Sequence, residues 1–305
     1  MAKVDILLAT YNGAKYIRSQ IMSIIGQSFE DWRLIMHDDG STDETVAIIK
    51  RIVDPRIVLI EDEKKFGNPC GNFLYLTQFI ESPYAMFCDQ DDIWLDNKVE
   101  ILYDAIQSYP TDEPVVGYSQ SYLWIPKTGI TGMGAYTKFN RTLNHLLFNN
   151  GGIQGCAAIF NKKAGEYLMN YRGRDSMHDH LLNIVGLAFG KVFSIDLPLM
   201  LYRQHGDNQT GISRYNYSLW RRILLGIKMR EPVIDKRHYE TIQDFYAQYR
   251  SVLPDEKRRV FEAYLNMPLL RLFQKMIAMV KFDFRREGSL CKLLVKTMIH
   301  PFIQL

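Results

Sequence analysis

The sequence predicts an α/β fold in which a mostly parallel central sheet is flanked by helices. Apolar runs of strand length alternate with amphipathic helical segments over the first 110 residues. Parallel strands need a long crossover, which is usually a helix, so this alternation favours parallel pairing. The runs are apolar almost throughout, as expected of strands covered on both faces. Charged and amide residues collect directly after several of them, at the end of the sheet where ligands bind.

The first half of the chain provides four strands and four helices. Strands are predicted at residues 4–10, 32–38, 56–62 and 84–89, and the intervening helices at 13–27, after "DGSTDE", and at 71–81. Ser41 and Glu44 fit an S-x-x-E capping box for the second helix. A fourth helix is predicted at 93–106, and the alternative interpretation of the acidic residues before it is a simple turn in which Asp92 or Asp96 caps that helix.

The second half is less regular and ends in a basic region. We predict a strand at 115–125, a strand running into a helix at 155–171, a helix at 177–190 and a strand-like segment at 191–206. Residues 1–215 are expected to form the main domain, followed by a helical extension at 216–305. That extension carries 17 Lys and Arg against 9 Asp and Glu, a net charge of +8. It would suit either docking on anionic lipid or packing on the main domain or a second subunit.

Composition excludes several classes of protein. Hydrophobic residues make up 47% and charged residues 23%, as in an ordinary globular protein. Four cysteines without C-x-x-C spacing favour reduced thiols over disulfides or a zinc site. No signal-peptide core and no long apolar span is found, so we expect a cytoplasmic protein, peripheral at most to the inner face of the cell membrane.

The polar residues at the strand ends predict a metal-assisted phosphate site. Asp89, Asp91 and Asp92 follow the fourth strand, and like charges about 4 Å apart cost roughly 1 kcal/mol per pair even in water. A divalent cation would relieve that repulsion and bind a diphosphate. Neither G-x-x-x-x-G-K-[ST] nor G-x-G-x-x-G is present, which excludes the P-loop and dinucleotide-binding classes.

Three motifs in order carry a family resemblance. "ILLATYNGAKYIRSQIMSIIGQSF", "HDDGSTDETVAII" and "FCDQDDIWLDNK" resemble the inverting glycosyltransferases of family 2, which have the GT-A (Rossmann-like) fold, and the resemblance covers residues 3–215. "DQDDIW", "MHDH" and "YRQHG" narrow it to the rhamnosyltransferase-like branch that builds bacterial cell-surface polysaccharides. The resemblance implies that residues 1–110 bind a nucleotide sugar and 111–215 the acceptor.

The resemblance also implies a role for each matching position. The implied sites are the nucleotide pocket (Thr10, Tyr11, Asn12, Asp39, Asp89), ligands of Mg²⁺ or Mn²⁺ (Asp91, His205), a diphosphate contact (Arg203), the acceptor side (Gly155, Cys156, Ala157, His178) and the general base (Asp179). A histidine next to the base, either His178 or His180, is expected to orient it. Trp94 and Lys98 are expected to be core and surface anchors.

The implied reaction is transfer of L-rhamnose from dTDP-rhamnose to a cell-surface polysaccharide or lipid-linked oligosaccharide, with inversion. A UDP-hexose is the alternative donor. No Q-x-x-R-W motif is present, which favours one sugar per encounter over polymerisation. A metal-dependent phosphohydrolase and a non-catalytic nucleotide-sugar binder are the more remote alternatives. No nucleic-acid partner is expected, and a homo-oligomer stays open.

Overall fold

The computed structural model describes residues 2–134, 142–149, 154–174, 177–205 and 231–303. The chain divides into two compact units. The first comprises Met1–Tyr136, Ile153–Asn170 and Met177–Gln204, and the second comprises Thr137–Gly152, Tyr171–Ser176 and His205–Leu305. The predicted domain boundary at 215/216 lies outside the described residues.

A nine-stranded sheet forms the first unit. Its strands are β1 (Val4–Thr10), β2 (Trp32–Asp38), β3 (Ile57–Ile60), β4 (Tyr84–Cys88), β5 (Ile93–Trp94), β6 (Val115–Ile125), β7 (Gly129–Met133), β8 (Ala158–Asn161) and β9 (Lys191–Arg203). The order is β3-β2-β1-β4-β8-β6-β9-β5, with β7 beside β6. The β3-β2-β1-β4 half is entirely parallel, whereas β8 runs antiparallel to both neighbours. The predicted α/β fold is confirmed.

Helices cover this sheet. They are α1 (Ile17–Ile25), α2 (Thr45–Lys50), α3 (Pro69–Leu76), α4 (Lys98–Ile106), α6 (Lys162–Asn170) and α7 (His178–Phe189); α5 (Leu143–Leu146) belongs to the second unit. Ile17, Ile21 and Ile24 lie on the buried side of α1, as the helical spacing requires. All seven residues of β1 are buried, which explains its continuous apolar sequence.

Two predicted helix caps are wrong. Helix α2 begins after Glu44 without a side-chain cap, because the Ser41 hydroxyl instead donates to Asp38 (2.5 Å). The segment predicted as one helix at 93–106 first forms β5, and α4 begins after Asn97. Asp92 does not cap that helix, because its carboxylate accepts the backbone N–H of Arg203 on β9. Pairing of β5 with β9 therefore overrides the local capping preference.

The second unit is helical in its described residues. It contains α5 together with α8 (Lys236–Tyr249), α9 (Asp255–Asn266), α10 (Leu272–Lys281) and α11 (Leu290–Ile299). Aromatic rings form its core: the ring centroids of Phe148 lie 5.2 Å from Tyr264 and 5.1 Å from Phe284, and all three are buried. No helix in the described part of the chain is long and apolar enough to cross a bilayer.

Candidate active site

The turn after β1 is clamped by Gln90. Its Oε1 accepts hydrogen bonds from the Thr10 hydroxyl (2.6 Å) and the Tyr11 N–H (3.0 Å), and its Nε2 donates to the Tyr11 carbonyl (3.0 Å). A Cβ at Gly13 would lie 2.2 Å from Gln90 Oε1, so a larger residue there would displace the Gln90 side chain from this clamp. Gln90 was not singled out from the sequence, although its place between two aspartates of the acidic turn was the available signal. Tyr11 is left half-exposed beside this clamp.

A second set of hydrogen bonds joins the ends of β1 and β2. Asn12 has a left-handed backbone (φ 47°), and its N–H donates to the Ser41 hydroxyl while its side-chain oxygen accepts the Thr42 N–H (both 2.8 Å). Asp38 accepts the N–H groups of Gly40 (3.0 Å) and Ser41 (2.7 Å). Asp38 therefore shapes the "DGST" turn, whereas Asn12 holds that turn against the end of β1.

Asp39 is fixed beside the β1 turn. Its N–H donates to the Thr10 carbonyl (2.9 Å), and its Oδ1 accepts the backbone N–H of Phe66 (2.5 Å). The side chain of Lys65 covers Gly40, where φ is 86° and a Cβ would approach Lys65 to within 2.5 Å. Oδ1 of Asp39 is committed to Phe66, so a ligand N–H would be accepted at Oδ2.

The acidic turn after β4 brings three ligand-type side chains together. One ligand atom each from Asp89, Asp92 and Cys156 lie within 4.8 Å of one another. Burial and the nearby charge of Asp91 raise the pKa of Asp89 to about 7. Burial and the charges of Asp89 and Asp91 hold the pKa of Asp92 well above its ordinary value. The turn is therefore an electrostatically strained group of acids, as like charges in a low-dielectric site must be.

Lys98 is the internal cation of this cluster. The sequence predicted a surface anchor, which is wrong: Lys98 is 0% exposed. Its ammonium donates to the Cys156 carbonyl and lies 3.7 Å from the centroid of the Trp94 ring. Burial lowers the pKa of Lys98 to about 8, although the nearby charges of Asp92 and Asp89 act to raise it. A fully buried lysine is rare unless paired. Trp94 is buried, as predicted for a core anchor.

Arg203 supplies a second cation beside the turn. Its Nε donates to the Asp91 carbonyl (2.5 Å), and its guanidinium lies 4.6 Å from the Tyr16 ring centroid and 4.3 Å from that of Trp124. Its backbone N–H donates to Asp92 Oδ1 (3.0 Å). Arg203 therefore joins the end of β9 to the acidic turn. Its predicted contact with a diphosphate stays a prediction.

Asp179 opens α7 on the acceptor side. Its Oδ1 accepts the His180 N–H (2.7 Å), and a backbone bond from Gly155 adds to this. Burial nevertheless raises the pKa of Asp179 to about 6, which suits a group that must take up a proton near neutral pH. The charge of Asp179 also contributes to the raised pKa of Asp89. The two carboxylates adjoin the same turn, because a Cβ at Gly155 would lie 3.2 Å from the Asp179 Cβ and a ligand atom of Cys156 lies within 4.8 Å of one from Asp89.

His178 does not orient Asp179. Its ring stacks on Phe73 with centroids 3.9 Å apart and meets the edge of Phe87 at 4.8 Å. Neither ring nitrogen has a hydrogen-bond partner among the described residues, and burial lowers the pKa of His178 to about 3. The neutral imidazole instead packs under Gly155, where a Cβ would lie 2.4 Å from its Nε2. Backbone N–H groups of His180 and Gly155 hold the Asp179 carboxylate.

The net charge of the site fits a divalent cation. Four carboxylates interact electrostatically in this site with only two cations nearby. The carboxylates are those of Asp89, Asp91, Asp92 and Asp179, and the cations are Lys98 and Arg203. Asp92 Oδ2 is buried and has no hydrogen-bond partner in the described part of the chain. Carboxylate oxygens are the ligands that Mg²⁺ and Mn²⁺ prefer. His205, the other predicted ligand, is half-buried and falls in the second unit.

Comparison with known proteins assigns the chain to a family. Residues 5–168 match the sequence profile described as Glycosyl transferase family 2. A dTDP-rhamnosyl transferase, RfbG of Shigella flexneri, is 29% identical over 223 residues, covering 67% of this chain and 73% of that protein. The Escherichia coli UDP-Glc:alpha-D-GlcNAc-diphosphoundecaprenol beta-1,3-glucosyltransferase WfaP is 30% identical over 123 residues, 40% of this chain but under half (47%) of that protein.

Solved structures show the same fold at low sequence identity. Residues 1–349 of S. aureus TarS with UDP-GlcNAc superpose with a TM-score of 0.59 at 16% identity, covering 92% of this chain and 80% of that one. The mannosyltransferase PcManGT from Pyrobaculum calidifontis, in complex with GDP-Man and Mn²⁺, gives a TM-score of 0.51 at 17% identity, covering 96% and 78%. These likenesses confirm the predicted GT-A type of fold.

Proposed function

The chain belongs to glycosyl transferase family 2, whose members use nucleotide sugars, and we propose that it is an inverting, metal-dependent rhamnosyltransferase. One observation carries the proposal. The turn Gly155–Ala157 joins the two parts of the site: a Cβ at Gly155 would lie 3.2 Å from the Asp179 Cβ, and ligand atoms of Cys156, Asp89 and Asp92 lie within 4.8 Å of one another. A candidate base and a cation-binding turn brought together in this way suit a single in-line displacement.

The nucleotide would bind across the ends of β1 and β2. Thr10, Tyr11 and Asn12 form the wall that Gln90 clamps, and Tyr11 offers an exposed ring for stacking. Asp39 Oδ2 would accept the ring N–H of uracil or thymine. Adenine presents an acceptor at the corresponding ring nitrogen, so Asp39 disfavours it; the preference for a pyrimidine over guanine rests on the likeness to enzymes named for dTDP and UDP donors.

Asp89 and Asp91 would hold Mg²⁺ or Mn²⁺, with Asp89 also near the ribose. The cation supplies charge that stabilises the leaving diphosphate. His205 is proposed as a further ligand. Lys98 and the Arg203 backbone keep the turn in place, and the Arg203 guanidinium would pair with diphosphate oxygens. Gly155, Cys156 and Ala157 form a short helical turn of small side chains that would admit the acceptor closely, over His178.

Asp179 would act as the general base. It takes the proton of an acceptor hydroxyl as that oxygen bonds to the anomeric carbon, and the bond from that carbon to the diphosphate oxygen breaks on the opposite side. The single displacement inverts the anomeric configuration. Pre-set hydrogen bonds from two backbone N–H groups hold Asp179 in place for this step.

The proposed donor is dTDP-L-rhamnose, supported by the likeness to RfbG over two thirds of the chain. A UDP-hexose is the second candidate, favoured by the shorter likeness to a UDP-Glc-dependent enzyme. The name of that enzyme also includes a diphosphoundecaprenol-linked saccharide as its acceptor. We propose that the acceptor of this chain is likewise a lipid-linked saccharide of cell-surface polysaccharide synthesis, and that the basic C-terminal region attaches the protein to the inner face of the membrane.

A transfer assay tests the donor and the mechanism. Purified protein is incubated with Mn²⁺, a lipid-linked saccharide panel and either dTDP-rhamnose or UDP-glucose, and Asp179→Asn serves as the inactive control. We expect dTDP release with the rhamnosyl donor, lost with EDTA, and a product of inverted anomeric configuration by NMR. A retained configuration, or EDTA-independent phosphate release without any sugar product, would overturn the proposal.

A further inference from the structure

The α10–α11 pair carries a concentration of exposed apolar side chains. Eighteen large hydrophobic residues of the described chain are exposed, and eight of them lie within 31 consecutive positions. They are Leu269, Leu272, Phe273, Ile277, Val280, Val295, Met298 and Ile299. Leu269 and Phe273 are 85% and 73% exposed, respectively. We call this set the apolar face. Exposed apolar side chains this concentrated along the chain indicate an interaction surface rather than the ordinary scatter of single residues.

The apolar face is separate from the seam that holds the two helices together. Met279 on α10 and Leu293 on α11 are fully buried, and the Thr297 hydroxyl points at the Met279 sulfur (3.8 Å). Phe273, Ile277 and Val280 recur at helical spacing on a different side of α10. The pair therefore has one apolar stripe for its own packing and a second one that the second unit leaves uncovered.

Positive charge accompanies the apolar face. Residues 269–300 contain seven Lys and Arg against two Asp and Glu, a net charge of +5. Both acids are neutralised within the same stretch, Asp283 by Arg285 and Glu287 by Lys292, each at 2.8 Å. A groove of about 700 Å³ opens between α9 and α10; its lining includes Leu270, Ile277 and Phe282, the cations Arg259 and Lys281, and one acid, Glu262. Apolar side chains next to cations match a phospholipid, which has apolar acyl chains and a negatively charged phosphate.

We propose that the apolar face docks on an anionic lipid bilayer. Its apolar side chains enter the boundary between headgroups and acyl chains, and the surrounding cations meet lipid phosphates. A second copy of the chain fits this surface less well, because a two-fold interface would set +5 against +5. The proposal names the contact surface for the membrane attachment put forward above, and it does not depend on the identity of the donor sugar.

Vesicle sedimentation with the full-length chain tests the proposal. Vesicles of phosphatidylcholine mixed with phosphatidylglycerol are compared with pure phosphatidylcholine at low and high salt. Phe273→Ser/Ile277→Ser should weaken binding to the anionic vesicles by about tenfold or more, because two apolar anchors are lost. Lys275→Gln/Lys281→Gln should reduce the salt dependence. Val252→Ser changes another exposed apolar side chain of the second unit and should bind as the wild type does.

Each variant is also checked by thermal melting and by nucleotide-induced stabilisation, since exposed positions should change neither. A variant that no longer binds vesicles but still binds nucleotide supports the proposed face. A wild-type protein that shows no stabilisation by nucleotide would instead count against the proposed transferase site. Equal sedimentation of wild type and Phe273→Ser/Ile277→Ser, or no sedimentation of the wild type, would overturn the proposal. So would a dimer in light scattering that only Phe273→Ser/Ile277→Ser converts to a monomer.

Discussion

The two units break the usual rule of charged residues outside and apolar residues inside, and they break it in opposite directions. The first unit buries an aspartate and a lysine completely, Asp92 and Lys98, at the end of its sheet. The second unit buries an aromatic core but exposes Phe273 and Leu269 on its last helices. Each departure costs free energy in the protein alone, either through lost hydration of charge or through apolar surface left in water.

This difference indicates what each region binds. The buried acids raise one another's pKa beside only two cations, Lys98 and Arg203, which supports our proposal that a divalent cation with a diphosphate completes this site. The exposed apolar residues lie among cations, which supports our proposal that an anionic bilayer covers them. Stability is given up locally in both places, as is common where a protein keeps a surface ready for its ligand. Variants of the first unit test this contrast.

Removing the base should have the largest effect. Asp179→Asn keeps the shape of the side chain but cannot accept the acceptor proton, so kcat should fall by about 10²–10⁴-fold. Stabilisation by nucleotide and Mn²⁺ should stay close to that of the wild type, because Asp179 lies on the acceptor side. Paired transfer assays and thermal melts check both points. A fully active Asp179→Asn would remove this residue as the base.

Removing the buried cation should destabilise the first unit. Lys98→Met leaves the Cys156 carbonyl without its buried donor and removes a positive charge that acts on Asp92 and Asp89, which should cost about 1–3 kcal/mol. Lys98→Met/Asp92→Asn should recover part of that loss, since neither charge remains. Urea midpoints measure the cycle, with Lys50→Met as the surface control, a half-exposed lysine paired to Glu61. Additive losses in the double variant would show that Lys98 and Asp92 do not interact.

Activity and stability should depend on pH in opposite senses through Asp179. The pKa of about 6 predicts that kcat/KM falls about tenfold per pH unit below 6, as the base becomes protonated. This folded pKa lies above the ordinary value of 3.8, so ionisation of Asp179 opposes folding. That penalty is complete above pH 6 and disappears as the pH falls from 6 towards 4.

Asp179→Asn removes this penalty and should therefore melt a few degrees above the wild type at pH 8, and near it at pH 4. Melting curves across this pH range, beside kcat/KM profiles of the wild type, check the sign. A wild-type profile that is flat between pH 5 and 7 would show that Asp179 is not the titrating group.

Loosening the β1 turn should have the smallest effect. Gln90→Ala removes three hydrogen bonds that hold Thr10 and Tyr11, at roughly 1 kcal/mol each before water replaces them. Because these bonds act on the nucleotide wall and not on the base, KM for the donor should rise several-fold with little change in kcat. Steady-state kinetics separate the two. An unchanged KM with a reduced kcat would place Gln90 in the chemical step instead.

Strands and turns were the predictable part of the molecule. The bounds of β1 follow from a continuous apolar run, and those of β2 and β6 from segments that are mostly apolar or aromatic. The Ser41 cap failed because its hydroxyl donates to Asp38 three residues earlier, whereas the Asp92 cap failed because its carboxylate accepts from Arg203 on a strand distant in sequence. Lys98 stands at the start of a helix, where the sequence predicts an exposed lysine. Its burial depends on the neighbouring acids and on the hydrogen bond to the Cys156 carbonyl. The exposure of Phe273 likewise depends on which helix face packs.

The most direct measurement is a thermal-shift titration of the wild type with dTDP, UDP and GDP, each with Mn²⁺ and again with EDTA. If a cation and a pyrimidine diphosphate bind at the buried acids, dTDP or UDP should raise the melting temperature in Mn²⁺. That rise should disappear in EDTA, and GDP should have little effect. Equal stabilisation with and without the metal, or none with any nucleotide, would contradict that claim.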